Sequence, residues 1–209
     1  MPPAPTSSEQ PRRDTTPTRR RTGERKIRQI LDAAVQVVGA GGAGAVTHRA
    51  VAEAAGVPLG STTYYFTDRH DLVRQTMEHA VAVESARLTA IIDAVDGPVP
   101  VGRAVELLTE MFFDKTVADP MYDLALFEMF LEATRDPSLR DMSRQWSVMI
   151  AGLIDRLLPP TDPAVRRADA VQIVATLIDG LMLEEASNQT LGLDQLSARL
   201  RVVVERLAA

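Results

Sequence analysis

Cysteine is missing from the whole chain, which excludes a disulfide framework and any thiolate acting as nucleophile or metal ligand. Histidine occurs only at His48, His70 and His79, without the spacing that gathers metal ligands, so neither a metal nor another cofactor is expected. No apolar run approaches the about 20 residues of a membrane span. The first residues are polar and proline-rich, with none of the apolar stretch of a secretory signal. A soluble, cytoplasmic protein is the expectation. No segment alternates apolar and polar residues, so no sheet is expected. Nor is there an activated nucleophile, a phosphate loop or a compelling carboxylate pair, and the chain is expected not to be an enzyme.

What the 209 residues do contain is a hydrophobic fraction of 45%, enough for a substantial core. A formal net charge of −5 argues at first against a nucleic-acid partner. Its distribution reverses that inference. Residues 1–75 carry 11 Lys+Arg against 7 Asp+Glu, and the remainder carries 12 against 21. A basic third on an acidic body is what a protein needs if only one end meets phosphate.

The periodicity predicts helices throughout. Ile27, Ile30, Leu31, Ala34, Val35 and Val38 recur at helical spacing, giving a first helix over about 23–38. The following GAGGAG (residues 39–44) formally satisfies G-x-G-x-x-G. No strand precedes it and no acidic residue stands about twenty positions on, so it reads as a flexible connection and not as a dinucleotide site. Thr47 then offers a hydroxyl cap, Val51, Ala52 and Ala55 an apolar face, Gly56 a turn, and Pro58 the start of a second short helix to Phe66. A short helix, a glycine turn and a polar second helix form a helix-turn-helix, whose second member enters the DNA major groove. Asp68 and Asp71 predict a capping box at the head of a long linking helix that runs to about Val95. Asp119-Pro120, Asp136-Pro137 and Asp162-Pro163 predict further helix starts, with spans of about 101–118, 120–135, 137–158, 163–189 and 193–207.

The run Thr47-x-Arg49-x-Val51-Ala52-x-x-Ala55-Gly56-Val57, followed by Gly60-Ser61-x-x-Tyr64-Tyr65-Phe66 and Asp71-Leu72, resembles the DNA-binding domain of the tetracycline-repressor (TetR) family. Pro58, Leu59 and Thr63 depart from the usual family residues. The resemblance implies an all-α protein of about nine helices: a disordered basic arm (1–22), a three-helix DNA-binding domain (23–70) and a larger ligand-binding and dimerisation domain (71–209). It implies a dimeric regulator, expected to be a repressor released from operator DNA by a small apolar or amphipathic effector. The alternative is a helical interaction protein that regulates through protein partners, docking by Tyr64, Tyr65 and Phe66.

Three residue sets follow. Thr47, His48, Arg49, Gly60, Ser61, Thr63, Tyr64 and Arg69 are candidate DNA contacts. Arg49 suits guanine O6 and N7, Thr63 a base edge, and the hydroxyls suit phosphate oxygens. Tyr64 and Arg69 match family positions that commonly grip phosphates, and Arg12, Arg13, Arg19, Arg20 and Arg21 of the arm are further candidates. Met111, Phe112, Tyr122, Phe127, Phe130, Trp146, Met149 and Met182 are candidates for an effector pocket between helices. Val171, Val174, Ile178 and Leu181, with Leu196, Leu200 and Val203, form two apolar stripes expected to pack on their copies as a four-helix dimer seam.

Overall fold

The computed structural model describes residues 17–114, 116 and 119–209, with side chains from Arg21 onward. Among these residues the chain forms nine α-helices: α1 (Pro17–Gly41), α2 (His48–Ala54), α3 (Leu59–Tyr65), α4 (Arg69–Asp93), α5 (Val101–Phe113), α6 (Pro120–Ala133), α7 (Arg140–Leu157), α8 (Arg167–Asn188) and α9 (Leu193–Leu207). The one β-type pairing is an isolated bridge between Thr161 and Ala208. No described helix is long and apolar enough to cross a membrane, and no described cluster of His, Asp or Glu is suited to a metal.

The first helix outruns its expected bounds at both ends. Residues 17–22, expected in the arm, form its first turns, and residues 1–16 of that arm lie outside the described residues. At the other end it continues through Gly39, Ala40 and Gly41. Gly39 lies inside the helix, and α6 crosses it closely: a Cβ there would lie 2.8 Å from the Sδ of Met121 and 3.0 Å from its Cα. This glycine serves a close helix contact and breaks nothing. The true stop is Gly42, whose φ of 73° only glycine adopts freely and whose N–H donates to the Val38 carbonyl at 2.7 Å.

Nor is the next connection a loose loop. Residues Ala43–Ala45 make one 3-10 turn. The Ala43 N–H donates to Glu128 Oε2 at 3.1 Å, while Arg69 donates from Nε to the Val46 carbonyl (2.8 Å) and from Nη2 to the Ala43 carbonyl (2.6 Å). Two side chains distant in sequence therefore satisfy backbone groups that α1 and α2 leave open.

The remaining caps behave largely as their chemistry dictates. Thr47 accepts from the Ala50 N–H at 3.1 Å. Asp68 accepts from the Asp71 N–H at 2.8 Å, and Asp71 reaches back one residue further than a capping box requires, to the Thr67 N–H at 3.0 Å. Asp119 caps α6 through the Met121 N–H at 2.9 Å. Asp136-Pro137 opens a 3-10 turn that runs straight into α7. Asp162-Pro163 does not start a helix. Asp162 accepts from the Ala164 N–H at 2.8 Å and its carbonyl from the Val165 N–H at 2.8 Å, which makes a turn pinned to the Leu207 carbonyl through the Asp162 N–H (2.9 Å), and α8 starts only at Arg167. The fifth helix ends at Phe113, short of the expected 118.

One continuous core joins the two parts of the molecule. Leu72, Val73 and Met77 of α4 pack with Ile30, Ala34 and Val38 of α1, and Leu88 and Ile92 of the same helix join the C-terminal bundle. Helix α1 lies along α6, and α5 along α9.

Asp71 shows what a satisfied cap is worth. The Gln75 amide, the Thr67 N–H and Arg74 all donate to its carboxylate and hold its pKa at about 2, against an ordinary 3.8. Because the folded value is the lower one, this stabilisation is present above the ordinary carboxylate range and is lost as pH falls from about 4 towards about 2. Asp71→Asn is expected to lower stability at pH 7 and to flatten the acid limb of the stability curve in that window. Urea unfolding followed by circular dichroism across pH checks both.

Candidate nucleic-acid interface and effector cavity

Helix α3, the candidate recognition helix, is fastened by Thr62, half-buried at Ser61 and Tyr65 and exposed at its other residues. Thr62 is fully buried, and its hydroxyl donates to the Leu59 carbonyl at 2.9 Å and to the His48 carbonyl at 3.3 Å, fixing α3 on α2. The sequence reading passed over Thr62; a hydroxyl between outward-facing neighbours was its only signal. Phe66 is buried and Tyr65 half-buried, the tyrosine ring edge-on to Tyr64 at 5.0 Å. Gln29 Nε2 donates to the Ala55 carbonyl at 2.9 Å, which holds the turn between α2 and α3 to α1.

What remains outward is Thr63 and Tyr64, with Ser61 half-buried beside them. Tyr64 is 80% exposed, which is unusual for a tyrosine with no contact to make. A Cβ on Gly60 would meet nothing within 4 Å, so the surface there is bare backbone. Thr47 and Arg49 are exposed at the head of α2, and Arg49 has no hydrogen-bond or ionic partner among the described residues. His48 is half-buried, and its Nδ1 is buried without a partner. Arg69 differs from the rest. Two of its nitrogens donate to the Val46 and Ala43 carbonyls, so it braces the α1–α2 connection while the residue as a whole stays exposed. Arg21, Arg25 and Arg28 are exposed along the start of α1; Arg12 and Arg13 lie outside the described residues.

The second site is a cavity of about 150 Å3 bounded by α5, α6 and α8. Phe112, Met121, Phe127 and Met182 form its apolar wall, and Asp123 and Glu185 its polar one. A smaller cavity of about 30 Å3 shares Phe112, Asp123, Phe127 and Met182 and adds Phe130, Trp146, Glu84, Arg87 and Asp179. Five of the eight expected pocket residues therefore line these spaces: Phe112, Phe127, Phe130, Trp146 and Met182. The other three do not. Met111 is fully buried in the core on another face of α5. Tyr122 turns towards α1, where its hydroxyl donates to Asp32 at 3.1 Å; burial and that carboxylate push its pKa up. Met149 packs against the core without reaching either cavity. The acidic lining was missed because an acid on a helix ordinarily reads as solvated surface. The spacing Asp123/Phe127 and Asp179/Met182, four and three residues apart, was the available signal.

Most of the expected dimer stripe is used within the single chain. Val171, Val174, Ile178, Leu181, Leu196 and Leu200 are all at most 6% exposed there and serve the chain's own core, and of these Leu181 also lines a surface groove. Val203 is half-buried. The opposite face of α8 and α9 carries Ile173 (47% exposed) and Val202 (63%), with a shallow groove along Leu177, Gly180 and Val202.

Residues 30–76 match the family described as "Bacterial regulatory proteins, tetR family", and residues 99–209 match "Tetracyclin repressor-like, C-terminal domain". The chain belongs to the TetR family. It is 28% identical over 170 residues to the HTH-type transcriptional regulator BetI of Burkholderia mallei (strain NCTC 10229), covering 78% of this chain and 84% of that protein. It is 26% identical over 160 residues to the nicotine-responsive transcriptional repressor HdnoR of Paenarthrobacter nicotinovorans, covering 75% and 81%. Among solved structures, the multidrug binding protein EbrR complexed with imidazole is 30% identical, with a TM-score of 0.65 over 96% of this chain and 98% of that one. A TetR-family member from Streptomyces coelicolor A3 is 28% identical, with a TM-score of 0.66 over 88% and 98%. The all-α fold with its N-terminal helix-turn-helix is thus that of a TetR-family transcriptional regulator.

Arg49→Ala tests the reading surface. Loss of a bidentate base contact costs about 1–3 kcal/mol of discrimination. Its specific operator affinity is expected to fall about 5- to 150-fold, while its gel-filtration profile and melting temperature stay those of the wild type. Quantitative gel shifts on specific and scrambled DNA measure the difference.

Proposed function

We propose that the chain is a homodimeric, effector-released repressor. The carrying observation is that one turn of α6 is both cavity wall and seat for the DNA-binding domain. Pro120 and Met121 line the larger cavity, and the same Met121 closes on Gly39 of α1. Asp119, at the head of that turn, accepts from Gln36 Nε2 at 2.8 Å, and Glu128 holds the Ala43 N–H. A molecule seated against Met121 displaces α6 from α1, and α1 carries α2 and α3 with it. The effector shifts the balance only by the difference in its affinity for the two positions. EbrR and HdnoR, which respectively bind drugs and respond to nicotine by their names, support a small organic effector.

A dimer fits the exposed face of α8 and α9. Ile173, Leu177, Gly180 and Val202 give a strip on which a second copy packs, and the Glu184–Arg199 pair at 2.8 Å borders it. Two reading helices then meet half-sites separated by about 34–36 Å or a multiple of it. The proposal is tested by gel shift with DNA from upstream of the chain's own gene. Bound DNA, a log binding constant that falls linearly with log salt, and release by a screened small molecule support it. Salt-independent binding or no binding overturns it in favour of protein docking.

Two variants separate assembly from switching. Val202→Glu is expected to convert the dimer to a monomer by light scattering and to abolish specific binding while leaving helicity intact. Gly39→Ala inserts a Cβ where α6 already stands, and overpacking of this kind costs about 1–3 kcal/mol. It is expected to lower the melting temperature and to weaken operator binding in the absence of any effector.

A further inference from the structure

Resting on the reading of the larger cavity as the effector site, we infer that the effector is a neutral molecule of one aromatic ring bearing a hydroxyl or amide group, its ring held by Phe112, Phe127, Met121 and Met182 and its polar group by the side-chain amide of Gln189. Size comes first. The larger cavity holds about 150 Å3, and an apolar cavity of about that volume takes one benzene-sized molecule. The neighbouring space, which shares Phe112, adds only about 30 Å3, room for about two water molecules and not for a second ring. The walls then favour a ring. Phe112 and Phe127 approach from α5 and α6, and Met121 and Met182 from α6 and α8. Aromatic rings packed edge-to-face or offset attract beyond the area they bury, and a thioether sulfur at a ring edge adds to that.

The same walls disfavour a charged ligand. Both of their carboxylates are already engaged: Glu185 Oε2 accepts from the Leu191 N–H at 2.9 Å, and Asp123 has a partner of its own. Neither is left over to hold a cation, and the described lining residues include no Lys, Arg or His to hold an anion. Burying a charge without a counter-charge is costly. Gln189 is the polar group that remains. Its backbone is left-handed (φ 51°, ψ 39°), the one positive φ outside glycine among the described residues, and its N–H closes α8 on the Glu185 carbonyl at 2.9 Å. Glycine costs least at such a helix end. Glutamine there sets an amide at the rim of the cavity, exposed and without a hydrogen-bond partner among the described residues. The amide both donates and accepts, so it pairs with a hydroxyl or an amide in either sense.

The full-length protein, labelled with carbon-13 at the methyls of its eight methionines, is titrated by NMR with phenol, toluene, benzoate, benzylammonium and 2-naphthol. Met121 and Met182 line the cavity and report its occupancy directly. Phenol is expected to shift both methyls saturably and to bind at least tenfold tighter than benzoate, benzylammonium or 2-naphthol. Gln189→Met keeps the length of the side chain and removes its hydrogen bond. It is expected to weaken phenol about two- to tenfold and to leave toluene unchanged. Met182→Ala enlarges the cavity and is expected to bring 2-naphthol at least to the affinity of phenol. Equal or tighter binding of either ion or of 2-naphthol by the wild type, no binding of phenol, phenol saturation without shifts at Met121 and Met182, or wild-type phenol affinity in a folded Gln189→Met overturns the inference. Operator gel shifts run in parallel keep the two readings apart. A chain that holds operator DNA and ignores phenol loses only the ligand class, whereas a chain that binds no DNA loses the regulator reading whatever it does with phenol. Phenol bound at Met121 and Met182 that leaves operator affinity unchanged overturns the cavity as effector site.

Discussion

Two helices can approach only as closely as their side chains permit, and at Gly39 there is no side chain. The Sδ and Cα of Met121 occupy the space a Cβ would need. Several of the bonds that join the DNA-binding helices to α6 gather round this contact. Asp119 and Gln36 bond beside it, Glu128 caps the turn after Gly42, and Arg69 closes that turn from the other side. The short helices α2 and α3 have seven residues each, too few to be stable alone in water. Their position therefore derives from α1 and α4, and that of α1 derives from its seat on α6.

That arrangement also explains which parts of the structure were legible in the sequence. Local chemistry was: the Thr47 cap, the Gly56 turn and the Asp68 cap need only near neighbours, and all three are present. Where a distant segment decides, the sequence misled. The glycine-rich run read as a loop because nothing local reveals that Met121, more than eighty positions on, fills the space beside it. Asp162-Pro163 read as a helix start because nothing local reveals that Leu207 holds the Asp162 N–H. The stripes on α8 and α9 show a third kind of ambiguity. Heptad-like spacing says that a face is buried but not in which protein, and here the chain's own core took it.

The charge distribution likewise divides the labour. The acidic balance of residues 76–209 looked like an ordinary solvated surface with a basic reading head attached. Part of it lies in the bundle. Glu84 is buried on α4, and Asp123 and Asp179 flank the same small cavity. A buried ion pair such as Glu84–Arg87 contributes little net stability against its desolvation cost. Its geometric consequence is clearer: Arg87 ties α4 to the Met111 carbonyl of α5 and so fixes one wall of the cavity.

Helix α4 is a single rod of 25 residues, about 37 Å long. Its first half packs in the DNA-binding domain and its second half reaches the cavity, which makes it a natural lever between the two. The contact of α6 with α1 offers a shorter route. The two are not independent, because one oxygen joins them. Asp32 Oδ1 on α1 lies 2.6 Å from His79 Nε2 on α4 and accepts from the Tyr122 hydroxyl of α6 at 3.1 Å. A displacement of α6 that drags Tyr122 must strain or break this junction, and with it the hold of α4 on α1. In the proposed release, motion at the cavity would reach α2 and α3 through these three helices, with the contact at Gly39 as their tightest point.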